Sequence, residues 1–152
     1  MSWLIPFFLV LHLLAAIGWV GGMLFAHLAL RPSAMALEPP VRLALWQRVF
    51  SRFFPLVWLC IALLLVTGHG LTGLGAGAGS HTVLAMMLIG WLMTALFAYL
   101  YFQPYAALRA ALSAGDIPAA AAAQNTIRQI VATNLTLGLV VCVLGVLARF
   151  FG

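Results

Sequence analysis

Residues 3–30 read WLIPFFLVLHLLAAIGWVGGMLFAHLAL, twenty-eight positions without a charged side chain, closed by Arg31-Pro32. A helix needs about 20 residues to cross the ~30 Å hydrocarbon layer of a bilayer, so a run this long and this apolar reads as a membrane span. A second run, FFPLVWLCIALLLVTGHGL, covers residues 53–71. Two more follow, which sets the spans at about 3–31, 53–72, 81–105 and 125–149. The expectation is an all-α integral membrane protein: one four-span domain over 1–152, an antiparallel up-down four-helix bundle. A secretory leader carries basic residues ahead of a short apolar core. Here the first charge is Arg31, so the first run is expected to stay in the membrane.

Composition agrees. Hydrophobic residues make up 66% of the 152-residue chain and charged ones only 6%, with a mean hydropathy of +1.18. A soluble domain carries roughly 25% charged residues to cover its surface. The lipid bilayer is therefore the expected partner. The net charge of +5 comes from seven arginines and no lysine. Because these sit at span ends, they point to membrane topology and not to nucleic acid. Cys60 and Cys142 lie inside apolar runs, as small buried hydrophobes and not a disulfide framework.

Between the runs, Pro32–Pro40 reads as a loop and Val41–Arg52 as an amphipathic lead-in, with Pro55 in the first turn of the second span. Gly68–Ser80 holds six glycines and reads as a flexible hairpin between helices 2 and 3. The third helix is expected to run past Pro104 towards Leu112, and Ser113–Pro118 to turn the chain into an alanine-rich start of the fourth. Arg31, Arg42, Arg48, Arg52, Arg109 and Arg128 fall on one side and Arg149 alone on the other. The positive-inside rule then puts both termini and the glycine hairpin outside, in the periplasm if the membrane is a bacterial inner membrane.

Ionisable residues within a span are costly and mark function. His12 stands 19 residues from Arg31, and His69 stands 17 from Arg52. At ~1.5 Å per residue those heights are about 28 and 26 Å. His81, at the start of the third span, lies near the same surface. His12, His69 and His81 are accordingly the expected metal ligands, gathered in the outward half. His27 is left alone near the other end, as a packing residue. Gly68 flanks His69, Gly22 lies below His12, and Trp19, seven residues after His12, is expected on the same helical face. A flat porphyrin gripped between axial imidazoles, with Trp19, Gly22 and Gly68 against it, suits this pattern. Met23, Met86, Met87 and Met93 offer soft thioethers to copper, although core filling explains them as well. Asn134 reads as an interhelical hydrogen-bonding residue. No acid lies in any span, and no phosphate-binding glycine motif or Ser/His/Asp set occurs.

The segment LHLLAAIGWVGGMLFAHLALRP, residues 11–32, resembles the opening span of the CopD-like membrane superfamily, which includes copper-resistance CopD domains and the HemJ type of protoporphyrinogen oxidase. The resemblance rests on His12, then Trp19, then the pair Gly21-Gly22. RFFPLVWLCIALLLVTGHG resembles the second span of CopD domains, with its Thr67-Gly68 pair, and SHTVLAM resembles the start of the third. The resemblance implies a four-helix unit handling copper or haem, with His12 at the position that the HemJ group associates with haem b. Val83 stands where that group usually has a lysine, which argues against the oxidase activity.

The leading expectation is a b-type haem protein, its haem b held by His12 and His69 with His81 nearby. Its role would be electron transfer or redox chemistry near the periplasmic face, with a quinone or another redox protein as partner and a homodimer as the assembly. The alternatives are a copper-binding or copper-uptake protein using His12, His69 and His81 with Met86 or Met87, and a non-catalytic subunit of a membrane complex.

Overall fold

The computed structural model describes residues 3–77 and 79–151, with side chains up to Ala148. Every regular element among them is helical: α1 (Leu4–Ala34), α2 (Pro39–Gly73), α3 (His81–Phe102), α4 (Pro104–Ser113) and α5 (Ile117–Phe151). Four stretches are long and apolar enough to cross a membrane, with α3 and α4 forming one of them. The chain runs up and down, so the start of α1 and the end of α5 lie at the glycine-hairpin end and the 1–2 and 3–4 connections lie at the arginine-rich end. Leu13, Leu59, Leu88 and Val143, one from each stretch, are all more than half exposed. Large apolar side chains turned outward on every span are what a lipid environment requires. The protein is an all-α four-helix membrane bundle.

The expected lead-in is not a separate segment. Leu43, Trp46, Phe50, Phe54, Val57 and Ile61 are all buried and recur at spacings of three and four, one continuous stripe down a single helix. At 35 residues, α2 is about 52 Å long, well beyond the ~30 Å hydrocarbon thickness. Pro55 therefore lies deep inside α2 and not in its first turn. Its missing N–H leaves the Ser51 carbonyl without the usual helical donor, a loss set against the burial of its neighbours Phe54 and Val57. At the other end α2 continues to Gly73, so the hairpin begins at Leu74, six residues later than the glycine content suggests. Gly75, Gly77 and Gly79 have φ of 85°, 70° and 81°, a region that side chains with a Cβ rarely enter; Ala78 lies outside the described residues.

Pro104 ends α3, short of the continuation towards Leu112 that the sequence suggests: the preceding Gln103 departs from regular helical geometry (φ −109°, ψ −78°) and Pro104 opens α4. Gly115, at φ 71°, turns the chain, and Asp116 Oδ1 accepts from the Ala119 amide at 2.9 Å, an N-terminal cap. Consequently α5 starts at Ile117, with Pro118 in its first turn, and the alanine-rich stretch is continuous with the fourth span. Packing pairs α1 with α2 and α3 with α5, while α4 lies along the beginning of α5. The pairs are joined at the arginine-rich end by an aromatic layer: Phe54 stacks on Phe50 at 4.8 Å and meets Phe97 edge-on at 5.3 Å and Tyr105 at 4.9 Å.

Candidate functional site

The α1–α2 seam is built on glycine. A Cβ added at Gly18 would meet Cys60 Sγ at 3.2 Å, one at Gly22 would run into the Phe53 ring, and one at Gly70 into the Phe8 ring. In this antiparallel arrangement, each ring or sulfur occupies the space a side chain would have taken. His12 sits in the same seam. A Cβ at Gly68 would come within 3.4 Å of His12 Cε1, so the absent side chain is what lets the imidazole lie against α2.

The ring is held by a short relay. Thr67, only 1% exposed, donates its hydroxyl to the Leu63 carbonyl at 2.6 Å, and His12 Nδ1 lies 2.8 Å from the same Thr67 oxygen. A hydroxyl has one proton. With that proton committed to Leu63, the oxygen can only accept, so His12 Nδ1–H donates. The neutral ring then keeps its second lone pair on Nε2. An imidazole nitrogen prepared in this way can bind a metal ion, its tautomer and orientation set by the bond on the other nitrogen.

His69 follows the same logic on a different face. Its Nδ1–H donates to the Leu65 carbonyl at 2.8 Å, its ring meets Trp91 of α3 edge-on at 6.0 Å, and it is exposed. His12 touches Thr67 and Gly68, the positions just before His69, so the matched height is observed. The common pocket is not. At about 100° per residue, Thr67 and His69 leave α2 about 200° apart, and the two imidazoles lie on opposite sides of that helix. His81 is exposed at the start of α3. Among the described residues no three His, Cys, Asp or Glu side chains gather to hold a metal, so His12, His69 and His81 do not form one ligand set. Counting from arginines fixes height along an axis and leaves angle around it free.

The other expected neighbours of a porphyrin are also committed elsewhere. Gly22 receives Phe53, at the far end of the seam from His12. Trp19 is buried against Phe97 of α3 at 6.2 Å, away from the His12 ring. The cause is a π-helical turn over Ile17–Gly21, whose wider winding displaces residues from the face that α-helical counting assigns them. Met86 and Met93 turn their methyl groups towards Gly145 and Gly138 of α5, which makes them packing residues and not partners of His12. Haem gripped between His12 and His69 does not fit this arrangement.

A second feature lies at the arginine-rich end, where sequence reading put no site. A cavity of about 270 Å³ runs between the helices there. Trp19, Met23, Phe54 and Phe97 line its apolar part, and Arg31, Arg42 and Arg128 its polar part. His27 lines it too, from a second π-helical turn over Ala26–Leu30. π-Turns recur at functional sites, and here both carry cavity residues. Asn134, 1% exposed, donates through Nδ2 to the Met93 carbonyl at 3.2 Å. This is the interhelical bond expected of it, but its Oδ1 is buried with no partner, as is Gln124 Oε1, and both residues line the cavity. A buried acceptor without a donor costs about 1–3 kcal/mol.

A family model described as CopD, copper resistance protein D, matches residues 47–148, two thirds of the chain. The chain belongs to this family. The match takes in α2 from Gln47, then α3, α4 and most of α5, and so includes Thr67, His69, His81 and Asn134. His12 lies on α1, before the matched residues. No curated protein and no solved structure matches the chain. Membership in CopD makes this a copper-resistance-related, multi-pass membrane protein.

Proposed function

We propose that the chain is a copper-binding protein that takes up copper at the hairpin end of the bundle, with His12 Nε2 as its ligand. The observation that carries this reading is the relay from His12 Nδ1–H to Thr67 Oγ1 and on to the Leu63 carbonyl, in a chain of the CopD family. Imidazole is a suitable ligand for copper. A relay that removes Nδ1 from competition and stiffens the ring is the support that metal-binding histidines usually have. His69, with Nδ1 bonded to Leu65, offers a second Nε2 at the same height on the far side of α2, a station for an ion entering or leaving. The arginine asymmetry supports a cytoplasmic arginine-rich end and, in a bacterial inner membrane, a periplasmic hairpin end where copper arrives.

The test is a titration of the purified protein with Cu(I) against a coloured chelator, with an optical spectrum recorded first. Colourless protein that withdraws Cu(I) from the chelator is expected. A Soret band in the protein as isolated would replace copper by haem iron on the same nitrogen, and a colourless protein that leaves all Cu(I) on the chelator would remove the metal reading altogether. Gly68 provides a local check. With a Cβ there already 3.4 Å from His12 Cε1, Gly68→Leu is expected to push the ring off Thr67 and weaken Cu(I) binding about 10-fold, the scale of losing an outer-shell support. Gly73→Leu, at a glycine with nothing within 4 Å, should leave the affinity unchanged in the same titration.

A further inference from the structure

We infer that the mouth of the cavity at the arginine-rich end holds the phosphate headgroup of an anionic phospholipid. Arg31, Arg42 and Arg128 line it, one from each of α1, α2 and α5, and neither of the chain's two acids, Glu38 and Asp116, does. Arg31 and Arg42 are half-buried and Arg128 is exposed, so all three can be reached from outside. Other arginines at this end are placed differently. Arg109 lies over the Tyr105 ring at 5.1 Å, and Arg48 and Arg52 are exposed on α2 outside the cavity. Each guanidinium brings five N–H donors. Arg42 commits one to the Leu37 carbonyl and Arg128 one to Asn125 Oδ1. The others suit an oxyanion, and arginine pairs with phosphate through two parallel N–H bonds. Three cations without a carboxylate repel a copper ion, so this site is separate from the one proposed at His12 and stands whether or not that reading holds.

The height of the three side chains points to a lipid. Gly138 of α5 faces Val20 of α1, since a Cβ there would lie 2.8 Å from Val20 Cγ2. Arg128 stands ten residues before Gly138 and Arg31 eleven after Val20. The two helices run antiparallel, so both arginines lie about 15–16 Å from that contact, at one height. Cys60 faces Gly18 in the same way, which puts Arg42 about 7 Å further out, little more than one turn. On α1 this height closes the charge-free run 3–30, where hydrocarbon gives way to headgroups. Phe25 and Leu28, on the two turns of α1 before Arg31, are 63% and 66% exposed, a lipid-facing surface on the hydrocarbon side of the charges. Basic pockets between membrane helices at this depth take phospholipid headgroups. Three positive charges are better balanced by a headgroup with two phosphates than by one with a single phosphate.

Cardiolipin, with two phosphates, serves as the probe. The full chain in dodecyl maltoside would be titrated with it, and native mass spectrometry would count the lipids retained. One cardiolipin is expected to bind ahead of any other, at a concentration at least about 10-fold below that needed for phosphatidylcholine, and to be released by added salt. Arg31→Gln, Arg42→Gln and Arg128→Gln should each weaken this first binding about 5-fold. Arg48→Gln and Arg52→Gln, at the same end but outside the cavity, should leave it unchanged. An equal loss in Arg48→Gln or Arg52→Gln overturns the cavity as the site, because charge anywhere on that surface would then suffice. Phosphatidylcholine bound as well as cardiolipin overturns the choice of an anion. Inorganic phosphate that displaces cardiolipin at millimolar concentration, where chloride of equal ionic strength does not, makes the occupant a free phosphate and overturns the lipid. The lipid series uses the unaltered chain, so it decides the matter even if a variant does not fold.

Discussion

Replacing His12 with alanine is expected to lower Cu(I) affinity by at least about 100-fold, and replacing Thr67 with valine by about 10- to 100-fold. The second figure is the usual cost of removing the outer partner of a ligating histidine, and the ligand itself must cost at least as much. Valine keeps the volume of threonine and removes the only atom that accepts from His12 Nδ1. The imidazole is then free to turn and to carry its proton on either nitrogen. Thr67→Ser, which keeps the hydroxyl 2.6 Å from the Leu63 carbonyl, should restore most of the affinity. Nitrogen-15 NMR of the imidazole separates positioning from mere structure: wild-type His12 is expected as the Nδ1–H tautomer, and Thr67→Val as a mixture. Unchanged Cu(I) affinity in His12→Ala would take His12 out of the site and leave the fold as described.

Hydropathy alone located the four spans because a bilayer leaves few alternatives for an apolar run of this length. Boundaries were less legible. The start of α2 looked like a separate lead-in because its arginines interrupt the apolar run, yet Leu43, Trp46 and Phe50 continue the stripe of Phe54 and Val57 without a break. The height of His12 against His69 was also readable, since rise per residue is nearly constant. Their angular separation was not, because it depends on which face of α2 packs against α1. Gly68 and Gly70, which admit the His12 and Phe8 rings, are the sequence signal for that face, and room for a porphyrin is the competing reading of Gly68. The π-turn at Ile17–Gly21 leaves no mark in composition, which is why Trp19 was expected beside His12 and lies against Phe97.

The cavity was the least visible feature, for a related reason. Its wall is assembled from α1, α2, α3 and α5, and its polar groups look ordinary one at a time: arginines at span ends, an asparagine in a helix. Arg31, Arg42 and Arg128 served as topology markers, and Asn134 as an interhelical bond. The interhelical bond of Asn134 is present, to the Met93 carbonyl. What sequence could not supply was that the asparagine uses only one of its two ends, or that Arg31, Arg42 and Arg128 line one cavity. The two ends of the bundle therefore differ chemically: imidazoles at the hairpin end, and guanidiniums at the other.

Gly22→Ile is expected to destabilise the bundle by about 1–3 kcal/mol or more, the range for forcing extra bulk into a packed interior, while Gly21→Ile should be close to neutral. The two glycines are adjacent and chemically identical, and only their surroundings differ. A Cβ at Gly22 would enter the Phe53 ring, whereas one at Gly21 meets nothing within 4 Å. Phe53 is half-buried, and turning its ring aside would give up the contact it makes with α1 in the seam. At Gly21, a side chain would enter space open to lipid and would relieve the roughly 1 kcal/mol that glycine costs a helix relative to alanine. Thermal unfolding of both variants in the same detergent checks the pair. If Gly22→Ile unfolded no earlier than Gly21→Ile, the α1–α2 seam would be looser than described, and the position assigned to His12 against Gly68 would lose its support along with it.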